Sequence, residues 1–352
     1  MRRAMTMIIA FGAAVALLGL PAVADPYLLY LANLTLAYVV VSVGFNILLG
    51  FAGQFAFASA AFMAIGAYTL GLLMSRVGVN LLIALPAAGA TAAILGGIVA
   101  LPSLRMKTVY LAMVTMAFAE LVQWVLVQWK DVTLGTDGVN VPYPSLGPLR
   151  IQGDGGVYYL VLAVAVLCVL GARQILYSRL GRSFIAIREN ETVAQCCGIN
   201  VTYTKAVAFC ASAFFSGIGG GLFALSLRYI VPDGFGMFQL IIHFAMVLIG
   251  GLGSLAGSIL GAALLTALPE VLRDTQGFQE IIYGCLLIGF TVFLPSGLAG
   301  LLHRTRLLPR QILVRGWRRY ALQRNGAADR VVPVAEAATG PVAAAAGKGQ
   351  GR

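Results

Sequence analysis

Long apolar runs alternate with short polar loops along most of the chain. Ten runs are long enough to cross a membrane as helices, since about 20 residues at 1.5 Å per residue span a hydrocarbon core of roughly 30 Å. They cover residues 5–24, 27–49, 55–74, 79–101, 108–128, 157–176, 206–229, 235–251, 255–273 and 278–298. The pattern predicts an all-α integral membrane protein with about ten transmembrane helices within residues 1–300.

The basic residues give the predicted helices an orientation, because Lys and Arg concentrate in loops that stay in the cytoplasm. When the spans are counted through, four basic segments fall on one side: the N-terminus, the loop at 105–107, the loop 177–205 and the tail after His303. Arg76, Arg150 and Arg228 fall on the other side, so the majority of basic residues sets the orientation. We therefore expect both termini in the cytoplasm.

Composition supports a membrane domain without a soluble one. The chain is 60% hydrophobic and 11% charged, whereas soluble domains carry about 25% charged residues. The net charge of +11 would suit a nucleic-acid partner, but ten of the 24 Lys and Arg lie after His303 and most others lie in short loops. We therefore expect lipid, and no nucleic acid, as the partner of these charges. The five cysteines form no CxxC pattern. We therefore expect neither a zinc site nor a disulfide framework.

The first apolar run allows two interpretations. Arg2 and Arg3 precede it and Ala22-Val23-Ala24 closes it, as in a signal peptide with a small-residue cleavage site. The run is longer than the 7 to 15 residues of a usual signal core, which favours an uncleaved span. Removal of the run would leave the orientation of the remaining spans unchanged.

The C-terminal region divides into two parts. Residues 301–324 interleave Leu, Ile, Trp and Tyr with Arg, which predicts a basic amphipathic segment on the anionic inner leaflet. Residues 325–352 are rich in Ala, Gly and Pro, which predicts a disordered cytoplasmic tail.

Two loops are too long to be simple turns. The predicted external loop 130–156 is rich in Gly, Pro and Asp, and suits either an extracytoplasmic partner or a connector. The predicted cytoplasmic loop 177–205 carries Phe184, Ile187, Val193 and Ala194 among charged residues. This pattern predicts short amphipathic helices broken at Gly198, which either dock a soluble partner or lie at the lipid headgroups.

Small and polar residues punctuate the spans at two places. The candidates for the translocation pathway or for helix packing are Gly50, Gly53, Gln54, Ser59, Gly250, Gly251 and Gly253. The run 216–221 has the same character. Close packing of helices in a membrane requires small residues, so packing is the more common role of such runs.

Three ionisable residues lie at predicted membrane depth, where a charge costs about 2.5 to 3.5 kcal/mol on insertion scales. Glu120 lies mid-span with Gln123 on the same helical face, so we expect it to face the bundle interior or water. It either bonds another helix or lines a pathway. His243 suits a packing role, and Glu270 suits an interfacial ion pair with Arg273.

Several catalytic motifs are missing from the sequence. It contains no GxxxxGK[ST] loop to hold nucleotide phosphates, no GxSxG and no HExxH. We therefore expect no enzyme activity, no metal site and no cofactor bound by this chain itself.

Six segments in order resemble successive motifs of one family. They are NILLGFAGQFAFASAAFMAIGAY, LAMVTMAFAELV, GTDGV, SRLGRSFIAIRENETVAQCCGINVTYTK, ASAFFSGIGGGLFA and MVLIGGLGSLAGSILGAALLTALPE. In this order they resemble the branched-chain amino acid ABC transporter permeases of the LivM type. Each glycine-rich fragment alone is weak, but the ordered set covers most of residues 46–270.

The resemblance implies the ABC importer permease fold in the bacterial inner membrane and a set of partners. These are a second homologous permease, two cytoplasmic ATPase subunits that bind ATP and Mg, and a periplasmic solute-binding protein. It also implies that loop 177–205 couples to the ATPases, and we call it the coupling loop. The residues assigned to it are Gly181, Arg182, Arg188, Glu191, Ala194, Gly198, Ile199 and Asn200. Gln195 stands where the family commonly has an acidic residue, which puts a salt bridge to the ATPase there in doubt.

The solute and the energy source stay open at this point. Related permeases serve branched-chain amino acids, and similar sequences serve urea, amides or aromatic acids. A secondary transporter would use Glu120 as a proton relay, and a passive channel would need no energy source. No inverted repeat is evident in the sequence, which disfavours the secondary transporter.

Overall fold

The structure is a computed structural model that describes residues 25–103, 106, 108–146, 149–150, 153–271 and 297–304, with short fragments at 18–19, 21, 284–285 and 288–289. The predicted spans 5–24 and 278–298 lie largely outside the described residues. So do Arg105, Lys107, Arg273, the Glu270 side chain and the tail from 305 onward.

The described part of the chain is mostly helical. Its α-helices are α1 (Pro26–Asn46), α2 (Ser59–Arg76), α3 (Leu81–Ser103), α4 (Thr108–Gln128), α5 (Lys130–Thr133), α6 (Asp154–Tyr177), α7 (Arg179–Glu189), α8 (Glu191–Cys196), α9 (Val201–Leu227), α10 (Met237–Gly250), α11 (Leu255–Val271) and α12 (Gly297–Arg304). A π-helical turn, Ile47–Phe51, continues α1, and 3₁₀ turns occupy Gly135–Asp137 and Pro232–Phe235. Four two-residue strands complete it: β1 (Val139–Asn140), β2 (Ser145–Leu146), β3 (Leu149–Arg150) and β4 (Tyr229–Ile230).

Six helical segments among the described residues are long and apolar enough to cross a membrane. They are Pro26–Phe51, Leu81–Pro102, Val109–Gln128, Asp154–Tyr177, Val201–Leu227 and Pro232–Gly250. The helix Leu255–Pro269 is apolar but shorter. The predicted span 55–74 becomes helical only at Ser59, because Gly53 has a φ of +69° and residues 53–58 run without regular structure. The count of ten spans stays a prediction.

Helix α9 lies at the centre of the bundle and packs against α1, α2 and α3. Its glycines allow the helices to approach closely. A Cβ atom on Gly217 would lie 2.5 Å from the Ala92 Cβ, and one on Gly219 would lie 2.5 Å from a Val41 methyl carbon. The run 216–221 is therefore a helix-packing surface, as the small residues predict.

The loop between α4 and α6 is ordered by contacts with the segment after α9. Strand β1 pairs antiparallel with β4, so that Val139 faces Ile230. Arg228 forms an ion pair with Asp154 at 2.6 Å and lies over the Tyr143 ring at 3.8 Å from its centroid. The loop is thus fastened to the bundle at both of its ends.

Candidate coupling site

The coupling loop folds into two short helices that are capped by polar side chains. Ser178 Oγ accepts a hydrogen bond from Leu180 N, and Asn190 Oδ1 accepts from Thr192 N and Val193 N. Ser and Asn at these positions satisfy backbone N–H groups that have no partner within the helix. The sequence predicted a break at Gly198, and the structure adds an earlier break at Asn190.

The apolar face of this loop packs onto the protein itself. Phe184, Ile187 and Ala194 are buried, and Ile187 and Ala194 form a small core with Val201 at the start of α9. Of the four apolar residues noted in the sequence, Val193 does not belong to this face, since it is 57% exposed. Ala194, the next residue of the short helix α8, is the one that is buried against the bundle. The polar face of the loop is exposed.

Glycine is required at two positions of the loop, for a different structural reason at each. A Cβ atom on Gly181 would overlap the Leu176 carbonyl group at the end of α6. Gly198 has a φ of +79° in the left-handed region, and no atom lies within 4 Å of a Cβ built there. Gly198 is thus required by backbone conformation, which is common after the end of a helix.

Polar contacts join α8 and the start of α9. Glu191 forms an ion pair with Lys205 at 2.6 Å, and the Lys205 side chain is 7% exposed. Asn200 Oδ1 accepts a hydrogen bond from Tyr203 N, which caps α9. Arg182 and Gln195 are exposed on the outer face, and Ile199 packs partly buried against the core of the loop.

Arg188 links the coupling loop to the membrane helices. Its Nη1 donates a hydrogen bond to the Gly50 carbonyl oxygen in the π-helical turn. A Cβ on Gly53 would lie 2.8 Å from the Arg188 Cγ, and a Cβ on Gly253 would lie 2.8 Å from its Nη1. Burial lowers the pKa of Arg188, and the nearby Glu189 partly offsets this change. The structure thus brings together residues that the sequence assigned to two separate sets.

The contact falls where two membrane helices depart from regular α-helix. We call residues 47–58, the π-helical turn that continues α1 and the irregular segment after it, the first break, and residues 251–254, between α10 and α11, the second break. Gly251 and Gly253 have φ values of +117° and +75°. Gly250 ends α10 and faces Gly257 of α11 backbone to backbone.

Asn46 holds the two breaks together. Its Nδ2 donates to Ser254 O at 3.0 Å and to Ser258 Oγ at 2.6 Å, and its Oδ1 accepts from Gly253 N at 2.9 Å. The residue is 1% exposed. Sequence reasoning did not single out Asn46. The available signal was an amide side chain near the end of a long apolar run, four residues before Gly50.

Ser59, Gln54 and His243 are buried beside this site. Ser59 Oγ lies 3.3 Å from His243 Nδ1, and Gln239 Nε2 lies 2.9 Å from His243 Nε2. His243 therefore has partners on both ring nitrogens, as expected of a packing histidine. Gln54 bonds locally to the Ala52 carbonyl oxygen at 3.4 Å.

Glu120 lies apart from these residues, on the exposed face of α4. It lines a shallow pocket with Met116, Phe235 and Gly236. Of the two expected surroundings, the bundle interior and water, burial inside this chain's own bundle does not apply, because the same face of α4 is left uncovered at Met113 and Trp124. Water or another chain remains as its neighbour, since lipid does not solvate a carboxylate.

Comparisons with known proteins decide the family. A family model of the permease component of branched-chain amino acid transport systems matches residues 27–293. The chain belongs to this family. It is 31% identical over 292 residues to the high-affinity branched-chain amino acid permease protein LivM of Salmonella typhimurium, which covers 76% of this chain and 69% of that protein. The LivM protein of Escherichia coli is 32% identical, with the same shares covered.

A more distant relative is named for the transport of a different solute. The autoinducer 2 import permease LsrC of an Enterobacter species is 30% identical over 145 residues, covering 39% of this chain and 42% of that protein. No solved structure matches the chain.

Family and structure together place the chain in the membrane. It is a multi-pass inner-membrane protein of the ABC transporter permease class, as its apolar helices require. In the part of the chain that the structure describes, no cluster of three His, Cys, Asp or Glu side chains could hold a metal ion.

Proposed function

We propose that this chain is one of two permease subunits of an ATP-driven importer. Its pathway would carry branched-chain or related hydrophobic amino acids delivered by a periplasmic binding protein. The observation that carries the proposal is the coupling loop, whose apolar face packs on the bundle while its polar face is exposed. Such a segment suits a soluble partner that pushes on the membrane helices.

The energy source of this importer lies in other subunits. Two cytoplasmic ATPases would bind ATP and Mg and meet the exposed face of α7 and α8. Arg182, Glu191 and Asn200 lie exposed on that face. This arrangement requires the coupling loop in the cytoplasm, and it agrees with about ten spans and with both termini on that side.

The second permease would cover the exposed face of α4. A carboxylate such as Glu120 is costly in lipid, and the same face carries Trp124 and Leu121. Pairing of two permeases on this side would give Glu120 an aqueous pathway instead of lipid. The loop 130–156, fastened by β1 and β4, would lie at the entrance and meet the binding protein.

The decisive experiment is uptake by the reconstituted complex. The tagged chain would be purified with its partners, placed in liposomes, and supplied with ATP and labelled leucine, isoleucine or valine. We expect uptake that needs both hydrolysable ATP and the binding protein. Uptake of urea, an amide or an aromatic acid in their place would change the substrate class but keep the mechanism.

A second outcome would reject the mechanism. Uptake that survives ATP depletion and collapses with a protonophore would indicate a secondary transporter, with Glu120 as a proton relay. Uptake that needs neither energy source would indicate a passive channel.

A further inference from the structure

One charged side chain connects the coupling loop to both helix breaks. Arg188 extends from α7 so that its guanidinium reaches the Gly50 carbonyl oxygen in the first break and lies beside Gly253 of the second. The two breaks are themselves joined through Asn46. Arg188 therefore lies between α7, the end of α1 and the connection between α10 and α11.

Two glycines leave the space that the Arg188 side chain occupies. Gly53 and Gly253 both have positive φ values, and a Cβ atom on either would lie 2.8 Å from an Arg188 side-chain atom. Larger residues at these positions would displace the guanidinium or the loop. The missing side chains therefore make room for arginine as well as allowing the backbone to turn.

The bond that Arg188 makes is well suited to release. A guanidinium has five N–H donors, yet among the described residues its side chain bonds only the Gly50 carbonyl oxygen and pairs with no carboxylate. The residue is only partly buried, so water can replace this single acceptor when α7 moves.

We propose that Arg188 is a positioning residue that acts as a state-dependent latch. Its bond to Gly50 holds the coupling loop against the first and second breaks in the present conformation and is released when α7 is displaced. The inference rests on the proposed function and adds the residue through which motion passes. Because a ligand shifts a conformational equilibrium only through contacts that differ between the states, a bond made in one state alone is the kind required.

A disulfide staple tests whether the latch must open. The Cβ built on Gly53 lies 3.1 Å from the Arg188 Cβ, slightly closer than the 3.5 to 4.5 Å of natural disulfides. The double variant Gly53→Cys/Arg188→Cys would be made with the five native cysteines replaced by serine. We expect oxidation of the reconstituted complex to lower ATP-driven uptake at least about tenfold, a typical coupling factor, and dithiothreitol to restore it.

The reduced and oxidised forms of the same protein serve as each other's control. Equal uptake in both, with the disulfide confirmed by mass spectrometry, would overturn the latch. The proposed function fails separately, if the unmodified complex shows no ATP-driven uptake at all.

A second measurement does not depend on the staple. Arg188→Gln should lower the amount of solute imported per ATP hydrolysed by roughly fivefold or more, because the two motions are no longer linked. Arg188→Lys, which keeps one charged donor, should recover part of it. Arg173→Gln, at an exposed arginine of α6 outside the coupling loop, is the control. A merely structural role would lower complex yield, uptake and ATP hydrolysis together and leave their ratio unchanged, which would reject the proposal.

Discussion

The side-chain amide of Asn46 donates a hydrogen bond to Ser258 Oγ at 2.6 Å, across 212 positions of the chain. The same amide group reaches Ser254 O, and its oxygen accepts from Gly253 N. One buried residue thus fixes the end of α1 to the start of α11. The contact of Arg188 with both breaks depends on this connection, because Arg188 can bridge the two breaks only while they lie side by side.

Replacement of Asn46 by alanine should destabilise the protein. The change leaves Gly253 N without its acceptor, at about 1 to 3 kcal/mol for a buried group left unsatisfied. Ser258 Oγ loses the Asn46 donor but keeps its bond to Ser254 O. The thermal unfolding midpoint of the detergent-purified complex measures the effect. Asn33→Ala is the control, since Asn33 is also buried on α1 but its Oδ1 has no hydrogen-bond partner among the described residues. Equal losses for the two variants would contradict the role given to Asn46.

Replacement of Gly66 by alanine should loosen the contact between α2 and α9. Its Cβ would overlap the Gly217 backbone, so the helices must separate, at about 1 to 3 kcal/mol for overpacking. The measurement is again the unfolding midpoint. Gly171→Ala is the matched control, because the nearest atom to its Cβ is 4.0 Å away and alanine improves helix propensity by about 1 kcal/mol. An unchanged unfolding midpoint for Gly66→Ala would contradict this prediction and show that α2 and α9 can move apart without loss of stability.

The ion pair between Glu191 and Lys205 should be sensitive to which partner is lost. Glu191→Gln leaves a nearly buried lysine without its carboxylate, whereas Lys205→Met removes the buried charge. Glu191 is half exposed, so we expect a cost of about 1 kcal/mol rather than the larger cost of a fully buried pair. Limited trypsin cleavage after Arg182 and Arg188, which both variants retain, reports the local opening, since Lys205→Met removes the cleavage site at residue 205. Faster digestion of Lys205→Met than of Glu191→Gln would reverse the expected order.

Gly198 should tolerate asparagine but not leucine. Its left-handed backbone costs a branched residue roughly 1 to 2 kcal/mol, while asparagine adopts that region more readily. Gly198→Leu should therefore lower solute-stimulated ATP hydrolysis and transport by the reconstituted complex, and Gly198→Asn should retain most of both. If leucine left both rates unchanged, the turn at Gly198 would have no part in coupling.

Glu120 should be accessible to water in the assembled transporter. Glu120→Cys in a cysteine-free background should react with a charged, membrane-impermeant thiol reagent, because the proposed pathway admits water to this face. Ile94→Cys, whose parent residue is exposed on α3, should face lipid and stay unlabelled. Labelling is followed by the mass shift of the protein. Protection of both positions would place Glu120 against the partner chain instead of in the pathway.

The sequence predicted the helices well because their signal is local. An apolar run of about 20 residues is stable in lipid only as a helix, since every backbone group must bond within the segment. Eight of the ten predicted spans coincide with helices among the described residues. The small residues from Gly50 to Ser59 indicated that the backbone can bend there, but hydropathy alone did not locate the start of α2 at Ser59, because it does not report a backbone break.

The side-chain environment was harder to predict. Val193 and Ala194 are both apolar, and the sequence cannot tell which of two adjacent positions of a six-residue helix faces the bundle. For Glu120 we applied the general rule that a charged side chain avoids lipid. The rule does not say whether the surface that shields the carboxylate from lipid belongs to the same chain.

By itself the sequence determined the membrane location, the family and the amphipathic character of the coupling loop, because each depends on composition or on motifs that are contiguous in the chain. Only the tertiary structure decided that Gly50, Gly53 and Gly253 surround Arg188, which bonds to Gly50 across 138 positions. A glycine in the sequence serves equally for packing, for a turn or for room beside another side chain. Which of these applies is a property of the neighbouring atoms, and folding alone brings those atoms together.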